Sequence, residues 1–299
     1  MAVSRNRKRN VESYLFITPS VVLIAALGIY PMLWALPYMF TDYKGYGKAR
    51  FVGFDNFVRL VQDEYMWDAI WNTMIYASGK VLLTIPVALA LAILLNGKLR
   101  GRNLLRGIYF MPTIFSTAVM AVVFYIIFNS YNGLLNQILG QIGLSPVQWL
   151  SAKYAMLTSI LIASWGGIGN YMLLFLAGLQ GIPKDVYESA AIDGASGFKG
   201  FWYITVPMMG PVLNIIMIIA IMTALDSYEA IMVLTGGGPA GSTEVMYLYV
   251  FKLFFQVSTG ESMVPDMGYG ASVAFFMALI VGFVTAIYFF LTRKMNNIY

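Results

Sequence analysis

The 299-residue sequence contains no cysteine and no histidine. The first absence excludes disulfide bonds and thiolate metal sites, and the second excludes catalysis or pH sensing by an imidazole. No segment has the Gly-x-x-x-x-Gly-Lys-Ser/Thr pattern of a nucleotide-binding P-loop, so we do not expect this chain to bind ATP or magnesium. The sequence therefore predicts neither an enzyme nor a metal-binding protein.

Charged residues are also scarce. They make up 11% of the sequence, and 59% of the residues are hydrophobic. Soluble domains average about 25% charged and about 45–50% apolar residues, so this composition is typical of an integral membrane protein. The net charge of +5 is not concentrated into the basic face that nucleic-acid binding requires.

Six apolar runs account for the hydrophobic excess, and each can cover the ~20 residues that a helix needs to cross the hydrocarbon core. They lie at about 14–40, 70–95, 108–128, 154–179, 208–225 and 271–291. We predict an all-α integral membrane protein with six transmembrane helices, in a single transmembrane domain that covers 1–299. Pro19, Pro31 and Pro37 are expected to kink or loosen the first helix.

The distribution of basic residues indicates the orientation. If the N-terminus is cytoplasmic, the inner segments are 1–13, 96–107, 180–207 and 292–299, and they hold twelve Lys and Arg residues against six in the outer segments. Because cytoplasmic loops carry an excess of Lys and Arg, both termini are predicted to be cytoplasmic. A cluster in the second inner segment is predicted to bind anionic lipid, with an ATPase contact as the alternative. It consists of Lys98, Arg100, Arg102 and Arg106.

The stretch 183–211 is polar and rich in small residues, although it lies between two apolar runs. Pro183 suits the first turn of a helix, and Gly194 can adopt the left-handed conformation that ends one. Ser196 can then cap a second short helix. The stretch predicts a helix–turn–helix outside the bilayer, and an ordinary loop between two spans is the alternative.

Within this stretch, Glu188-Ser-Ala-Ala-Ile-Asp-Gly-Ala195, followed by Phe201 and Pro207, resembles the EAA motif. That motif marks the membrane subunits of bacterial ABC importers. Ser189 stands where the family usually has alanine, which exchanges one small residue for another. Three further segments resemble the maltose-type, carbohydrate-uptake permeases, namely VGFDNF at 52–57, TGGGP at 235–239 and GYGAS at 268–272.

The resemblance implies a multi-pass permease of the bacterial cytoplasmic membrane, paired as a heterodimer with a second, related permease subunit. It also implies two ATPase subunits, which bind ATP and magnesium, and an external solute-binding protein that delivers a sugar. The segment 183–207 would then be the coupling helix that docks on an ATPase subunit. The residues implied in that contact are Glu188, Ala190, Ala191, Asp193, Gly194, Ala195, Phe201 and Pro207.

Polar and aromatic residues in or beside the spans are candidates for the substrate pathway, because aromatic rings stack on sugar rings and amides bind hydroxyl groups. The candidates are Lys80, Trp165, Asn170, Tyr171, Asp226, Tyr228 and Glu229. Each has a structural alternative. Lys80 can extend to the membrane surface or form a structural pair. The glycines at 166, 167 and 169 favour close helix packing, and the last three candidates can form an exposed helix end.

These features predict the permease subunit of an ATP-driven, binding-protein-dependent importer of a sugar, with an oligosaccharide as the expected cargo. Glycerol phosphate or another small solute is an alternative cargo. A phosphorylated cargo would need more cationic groups than Lys80, which is the one basic residue inside the six runs. A secondary transporter is the alternative from another class, but these runs contain no Asp or Glu for ion coupling and show no evident repeat.

Overall fold

The computed structural model describes residues 14–97, 99–255 and 265–293. The chain is mostly helical and divides into two compact units. The first unit is drawn from Met1–Asp63 and Lys252–Phe276, and the second from Glu64–Phe251 and Met277–Tyr299. The N-terminal basic residues, Lys98 and Lys294, on which the predicted orientation partly depends, lie outside the described residues.

Helix α1 (Tyr14–Phe40) belongs to the first unit, and its apolar window is fully exposed. The helix widens to a π-helix at Ala25–Ile29 and tightens to a 3₁₀-helix at Leu36–Phe40. Pro31 lies in the first turn of the α-helical segment Tyr30–Ala35, and Pro37 lies in the first turn of the 3₁₀ segment. Because proline has no N–H for a helical hydrogen bond, it loosens the helix at Pro31 and Pro37 as predicted. Pro19, which was also expected to loosen it, lies within regular α-helix.

The rest of the first unit is organised around the chain just after α1. Strands β1 (Thr41–Asp42) and β2 (Arg50–Phe51) pair antiparallel and lead to α2 (Asp55–Gln62). Asn56 donates from Nδ2 to the carbonyl oxygens of Met39 and Thr41, both at 3.0 Å. Ser272 donates to the Met39 carbonyl at 2.9 Å. Two of the segments that resemble sugar permeases, at 52–57 and 268–272, therefore bind the same short piece of chain.

The second unit holds most of the helices. In chain order they are α3 (Glu64–Asn96), α4 (Arg102–Ile114), α5 (Thr117–Ile127), α6 (Leu134–Gln141), α7 (Ala155–Gln180), α8 (Lys184–Ile192), α9 (Gly210–Leu225), α10 (Glu229–Leu234) and most of α11 (Met246–Phe254). Helical turns at Phe198–Gly200, Phe201–Thr205 and Val206–Met208 join α8 to α9. Helix α12 (Met267–Thr292) begins in the first unit and ends in the second.

The core of the second unit is formed by α3, α7 and α9. Small residues of α3, such as Ala88 and Ala92, belong to one buried cluster with Phe175 of α7 and Ile216 of α9. Alanine leaves no bulk between helices, so their backbones can approach closely, which is a common way for membrane helices to associate. This packing brings residues near 80, 170 and 225 of the sequence together.

The third predicted span, 108–128, is not one helix. Helices α4 and α5 meet at 96°. Phe115 is extended, with φ −76° and ψ 142°, and Ser116 caps α5 by accepting the N–H of Val119 on its Oγ at 3.3 Å. A serine cap begins a new helix, which an unbroken apolar run does not reveal.

Among the described residues, five helices are long and apolar enough to cross a membrane. They are α1, α3, α7, the α9–α10 segment Gly210–Leu234, and α12, and the bent α4–α5 pair would be a sixth. Several helices extend beyond the predicted spans. Helix α3 begins at Glu64, before the predicted 70, and the apolar segment Gly210–Leu234 continues past 225 across a short break.

Candidate functional site

Residues from α3, α4, α5, α7, α9 and α10 line a cavity of about 390 Å³ in the second unit. Its volume falls within the range of about 300–1,000 Å³ that is usual for small-molecule sites. Six of the seven predicted pathway residues line it, namely Lys80, Asn170, Tyr171, Asp226, Tyr228 and Glu229. They come from three separate spans, so the fold brings them together and the sequence order does not.

Lys80 reaches from α3 to the end of α9. Its Nζ donates to Ser227 Oγ at 2.8 Å and to the carbonyl oxygen of Thr223 at 3.4 Å. The last four carbonyls of a helix have no helical N–H partner, and the negative end of the helix dipole favours a cation there. Lys80 is therefore paired inside the protein and is not extended to the membrane surface.

Helix α7 presents Asn170 and Tyr171 to the cavity. Tyr171 is anchored by its hydroxyl, which lies 2.8 Å from Thr223 Oγ1. The neighbouring glycines pack against α4, because Thr113 Oγ1 donates to the Gly166 carbonyl at 3.2 Å and Gly169 lies against the α4 backbone. The structural alternative, close helix packing, therefore also occurs on α7, next to the residues that line the cavity.

The break between α9 and α10 places Asp226, Tyr228 and Glu229 at the cavity. Asp226 and Glu229 are exposed, and Tyr228 is partly buried with its ring 5.6 Å from that of Phe251. Asp226 and Glu229 lie at an exposed helix end, as in the structural alternative, and that helix end also borders the cavity. Their carboxylates are available to accept hydrogen bonds from a hydroxylated ligand.

Trp165 does not line this cavity. It lines a separate apolar groove with residues of α3 and α4 that include Val87 and Ile108. Its ring meets that of Phe124 edge to face at 5.2 Å. The position of Trp165 therefore lends no support to its predicted role in stacking on a sugar.

Sequence reasoning missed six polar or aromatic lining residues, which are Tyr76, Thr113, Phe115, Thr117, Thr223 and Ser227. Tyr76 lies one helical turn before Lys80, so a search for polar or aromatic residues four positions from Lys80 would have found it. Thr223 and Ser227 carry no such signal, because their position depends on how α9 packs against α3.

The segment 183–207 forms the second candidate site. Pro183 is the N-cap of α8 and not its first residue. Gly194 is left-handed, with φ 80°. Its N–H donates to the Ala191 carbonyl at 3.1 Å, and the N–H of Ala195 donates to the Ala190 carbonyl at 2.8 Å. These two bonds form a Schellman motif, which confirms the predicted role of Gly194 in ending the helix.

Exposure divides the eight predicted coupling residues. Glu188, Ala191, Asp193 and Gly194 are exposed, whereas Ala195, Phe201 and Pro207 are partly buried. Ala190 is only 7% exposed. Ala190 is therefore buried, and its side chain does not lie on the exposed face of α8, although the resemblance implies it in the ATPase contact.

The predicted cap at Ser196 is wrong. Gly197 precedes the next helical turn with φ 58°, and no side chain caps that turn. The chain then continues through the π-helical turn Phe201–Thr205, where Thr205 Oγ1 lies 3.0 Å from the hydroxyl of Tyr187. This hydrogen bond ties α8 to the segment that enters the fifth span.

One member of the basic cluster has a structural role. Arg106 donates from Nη2 to the Leu95 carbonyl at 2.9 Å, near the end of α3. Arg100 and Arg102 are exposed, and Lys98 lies outside the described residues.

Comparisons with known proteins agree on one family. Residues 84–297 match the family described as binding-protein-dependent transport system inner membrane component. The chain is 33% identical over 298 residues to the lactose transport system permease protein LacF of Rhizobium radiobacter, covering 97% of both. It is 35% identical over 279 residues to the arabinooligosaccharides transport system permease protein AraP of Bacillus subtilis, covering 91% of this chain and 86% of AraP.

The fold is also found among solved structures. A chain of a bacterial ABC transporter involved in the import of the acidic polysaccharide alginate superposes with a TM-score of 0.82 at 22% sequence identity. The match covers 98% of the present chain and 99% of that chain.

Proposed function

Because the chain belongs to the family of binding-protein-dependent transport system inner membrane components, we propose that it is one of two related permease subunits of an ATP-driven sugar importer. A second permease subunit would complete a heterodimer, and an external solute-binding protein would deliver the sugar. Two ATPase subunits would supply the energy, since this chain has no P-loop of its own. The chain itself would catalyse no reaction.

Six polar or aromatic residues from three spans line one cavity, and this is the main observation that supports a sugar pathway. The lining offers hydroxyl groups, the amide of Asn170 and the ring of Tyr228, which is only partly buried. Hydroxyls and amides bind sugar hydroxyl groups, and aromatic rings pack on the apolar faces of sugar rings. The names of LacF and AraP, which refer to lactose and arabinooligosaccharides, support a saccharide as the cargo.

The segment 183–207 is proposed to couple this cavity to the ATPase. Its exposed surface at Glu188, Ala191 and Asp193 would dock on an ATPase subunit, and the Tyr187–Thr205 hydrogen bond would pass the movement of α8 to the fifth span. ATP and the loaded binding protein would then favour the same conformation of the permease, which couples the two ligands. This arrangement requires the segment, and with it both termini, to be cytoplasmic.

The proposal is tested by purifying the complex with its partner subunits and reconstituting it in proteoliposomes. ATP hydrolysis should rise when sugar-loaded binding protein is added, and sugar should accumulate inside. Asn170→Ala should lower sugar uptake about tenfold, because one or two hydrogen bonds of about 0.5–1.5 kcal/mol each are lost. Asn103→Ala, which removes an exposed amide at the start of α4, is the matched control and should transport normally. Uptake by this chain alone, driven by an ion gradient, would contradict the proposal.

A further inference from the structure

Three charged side chains are found among the described residues that line the cavity. They are Lys80, Asp226 and Glu229, so the lining carries a net charge of −1. The remaining polar groups of the lining are hydroxyls and the amide of Asn170. The charge that a ligand meets in this cavity therefore depends on whether Lys80 is available to it.

Lys80 already has hydrogen-bond partners within the protein. Its ammonium donates to Ser227 and to the Thr223 carbonyl, lies 6.0 Å from the centre of the Tyr76 ring, and is attracted by Asp226. An ammonium group has three N–H donors, and two of them have partners here. An anionic ligand that approached the remaining donor would also meet the carboxylate of Asp226, and a closer contact would draw Lys80 away from the end of α9, where its charge complements the helix dipole.

The two carboxylates differ from Lys80 in their surroundings. Asp226 and Glu229 are exposed at the break between α9 and α10. A carboxylate accepts hydrogen bonds from sugar hydroxyls or ammonium groups and repels another carboxylate or a phosphate. At an effective dielectric constant of about 20, two like charges about 6 Å apart repel enough to change a binding constant by at least tenfold.

We propose that this cavity takes neutral or amino-bearing saccharides and rejects anionic ones, such as uronic acid oligomers and sugar phosphates. The inference rests on the proposed sugar pathway and specifies its substrate class. Asp226 and Glu229 provide the repulsion, and Lys80 serves as a positioning residue that holds the helix break from which they reach the cavity.

Binding to the purified permease complex in nanodiscs tests this selectivity, with the solute-binding protein left out so that it cannot select the ligand. The neutral probes are lactose, arabinotriose and maltotriose, and the anionic probes are trigalacturonate and glycerol 3-phosphate. Isothermal titration should show at least one neutral probe binding at least tenfold more tightly than either anion. The double variant Asp226→Asn, Glu229→Gln should bind trigalacturonate at least tenfold more tightly than the wild type does.

Asp68→Asn is the matched control, because Asp68 is an exposed carboxylate of α3 that does not line the cavity. It should leave the binding of every probe unchanged. Tighter binding of an anion than of all neutral probes, lost in Lys80→Gln, would overturn the selectivity but leave the importer function standing. If no probe binds and a loaded binding protein does not stimulate ATP hydrolysis, the sugar pathway itself fails, and the selectivity fails with it.

Discussion

At Gly169 the backbone of α7 lies directly against the backbone of α4. A Cβ atom at this position would collide with the carbonyl oxygen of Tyr109 and would lie 2.8 Å from the Cα of Phe110. Both neighbours are main-chain atoms, so no change of rotamer can make room. Asn170 and Tyr171, which line the cavity, follow immediately.

Gly169→Ala is therefore expected to destabilise the protein by about 1–3 kcal/mol, the usual cost of overpacking a close contact. The thermal midpoint of the purified protein should fall by several degrees. Gly167→Ala is the matched control, since a Cβ there would lie 3.5 Å from Thr84 Cγ2, an ordinary van der Waals contact. Equal midpoints for the two variants would show that the approach at Gly169 is not tight in the native protein.

At the scale of the element, α8 is defined by its C-terminal turn. Gly194 is left-handed, and nothing lies within 4 Å of the position that a Cβ would take. Any penalty for replacing it is therefore one of backbone conformation and not of collision. A residue other than glycine pays about 1–2 kcal/mol in the left-handed conformation, although asparagine tolerates it better than most.

Gly194→Pro should abolish the stimulation of ATP hydrolysis by the loaded binding protein while membrane insertion stays intact. Proline can neither adopt a positive φ nor donate the N–H that binds the Ala191 carbonyl. Gly194→Asn should keep most of the stimulation, because it preserves both the turn and the N–H. Normal coupling in the proline variant would show that the turn has no part in coupling, and equal loss in both variants would show that the side chain matters and the turn does not.

The elements differ in how far the sequence predicts them. The position of α7 and the end of α8 follow from signals within one element, namely an apolar run of span length and a glycine after a helix. The break at Phe115–Ser116 does not, because an apolar run with Pro112 is equally compatible with a kinked helix and with two helices. The extension of the fifth span past Asp226 was missed because a charged residue normally ends an apolar run.

The sequence indicates several residues that line the cavity, but it does not indicate how the helices bring them together. Asn170 and Asp226 stand out as polar residues in or beside apolar runs, and both line it. Trp165 stands out as an aromatic residue in the same apolar run as Asn170, yet it lines another groove, since the direction of a side chain on α7 depends on which helices surround it. Thr223 and Ser227 are common residues at helix ends, and only the packing of α9 against α3 brings them to Lys80.

At the scale of the whole molecule, the first unit joins segments that are far apart in the sequence. Arg59 and Lys44 bind Asp266 at 2.7 Å and 3.1 Å, and the Arg59 guanidinium lies 3.9 Å from the centre of the Tyr269 ring. The hydroxyl of Tyr269 donates to Asp63. These contacts connect residues 44–63 with the start of α12, across about two hundred residues that form the second unit.

The charges in this cluster make its stability depend on pH in a defined way. Burial alone would raise the pKa of Asp266, but hydrogen bonds from Arg59 and Lys44 and their charges outweigh it, and the pKa is lowered. Burial likewise opposes the charge of Lys44, yet its hydrogen bonds and attraction to Asp266 and Asp42 raise its pKa. The stabilisation by Asp266 is therefore complete above its ordinary pKa of about 3.9 and is lost as the pH falls through the lowered value. The stabilisation by Lys44 is complete below its ordinary pKa of about 10.4 and is lost as the pH rises through the raised value.

Asp266→Asn is expected to lower the stability of the first unit by about 1 kcal/mol at pH 7, a modest value because Arg59 and Lys44 are partly exposed and water screens their charges. Hydrogen exchange of the amides in α2 and at the start of α12 should report this loss. In the wild type their protection should be constant between about pH 5 and pH 9 and should fall below about pH 4. In the variant, the loss of protection below about pH 4 should be smaller.

Asp42→Asn is the matched control, because Asp42 is half-exposed and its replacement leaves the contact of Lys44 with Asp266 intact. A control variant as unstable as Asp266→Asn would assign the stabilisation to Lys44 and Asp42, and not to the junction between α2 and α12.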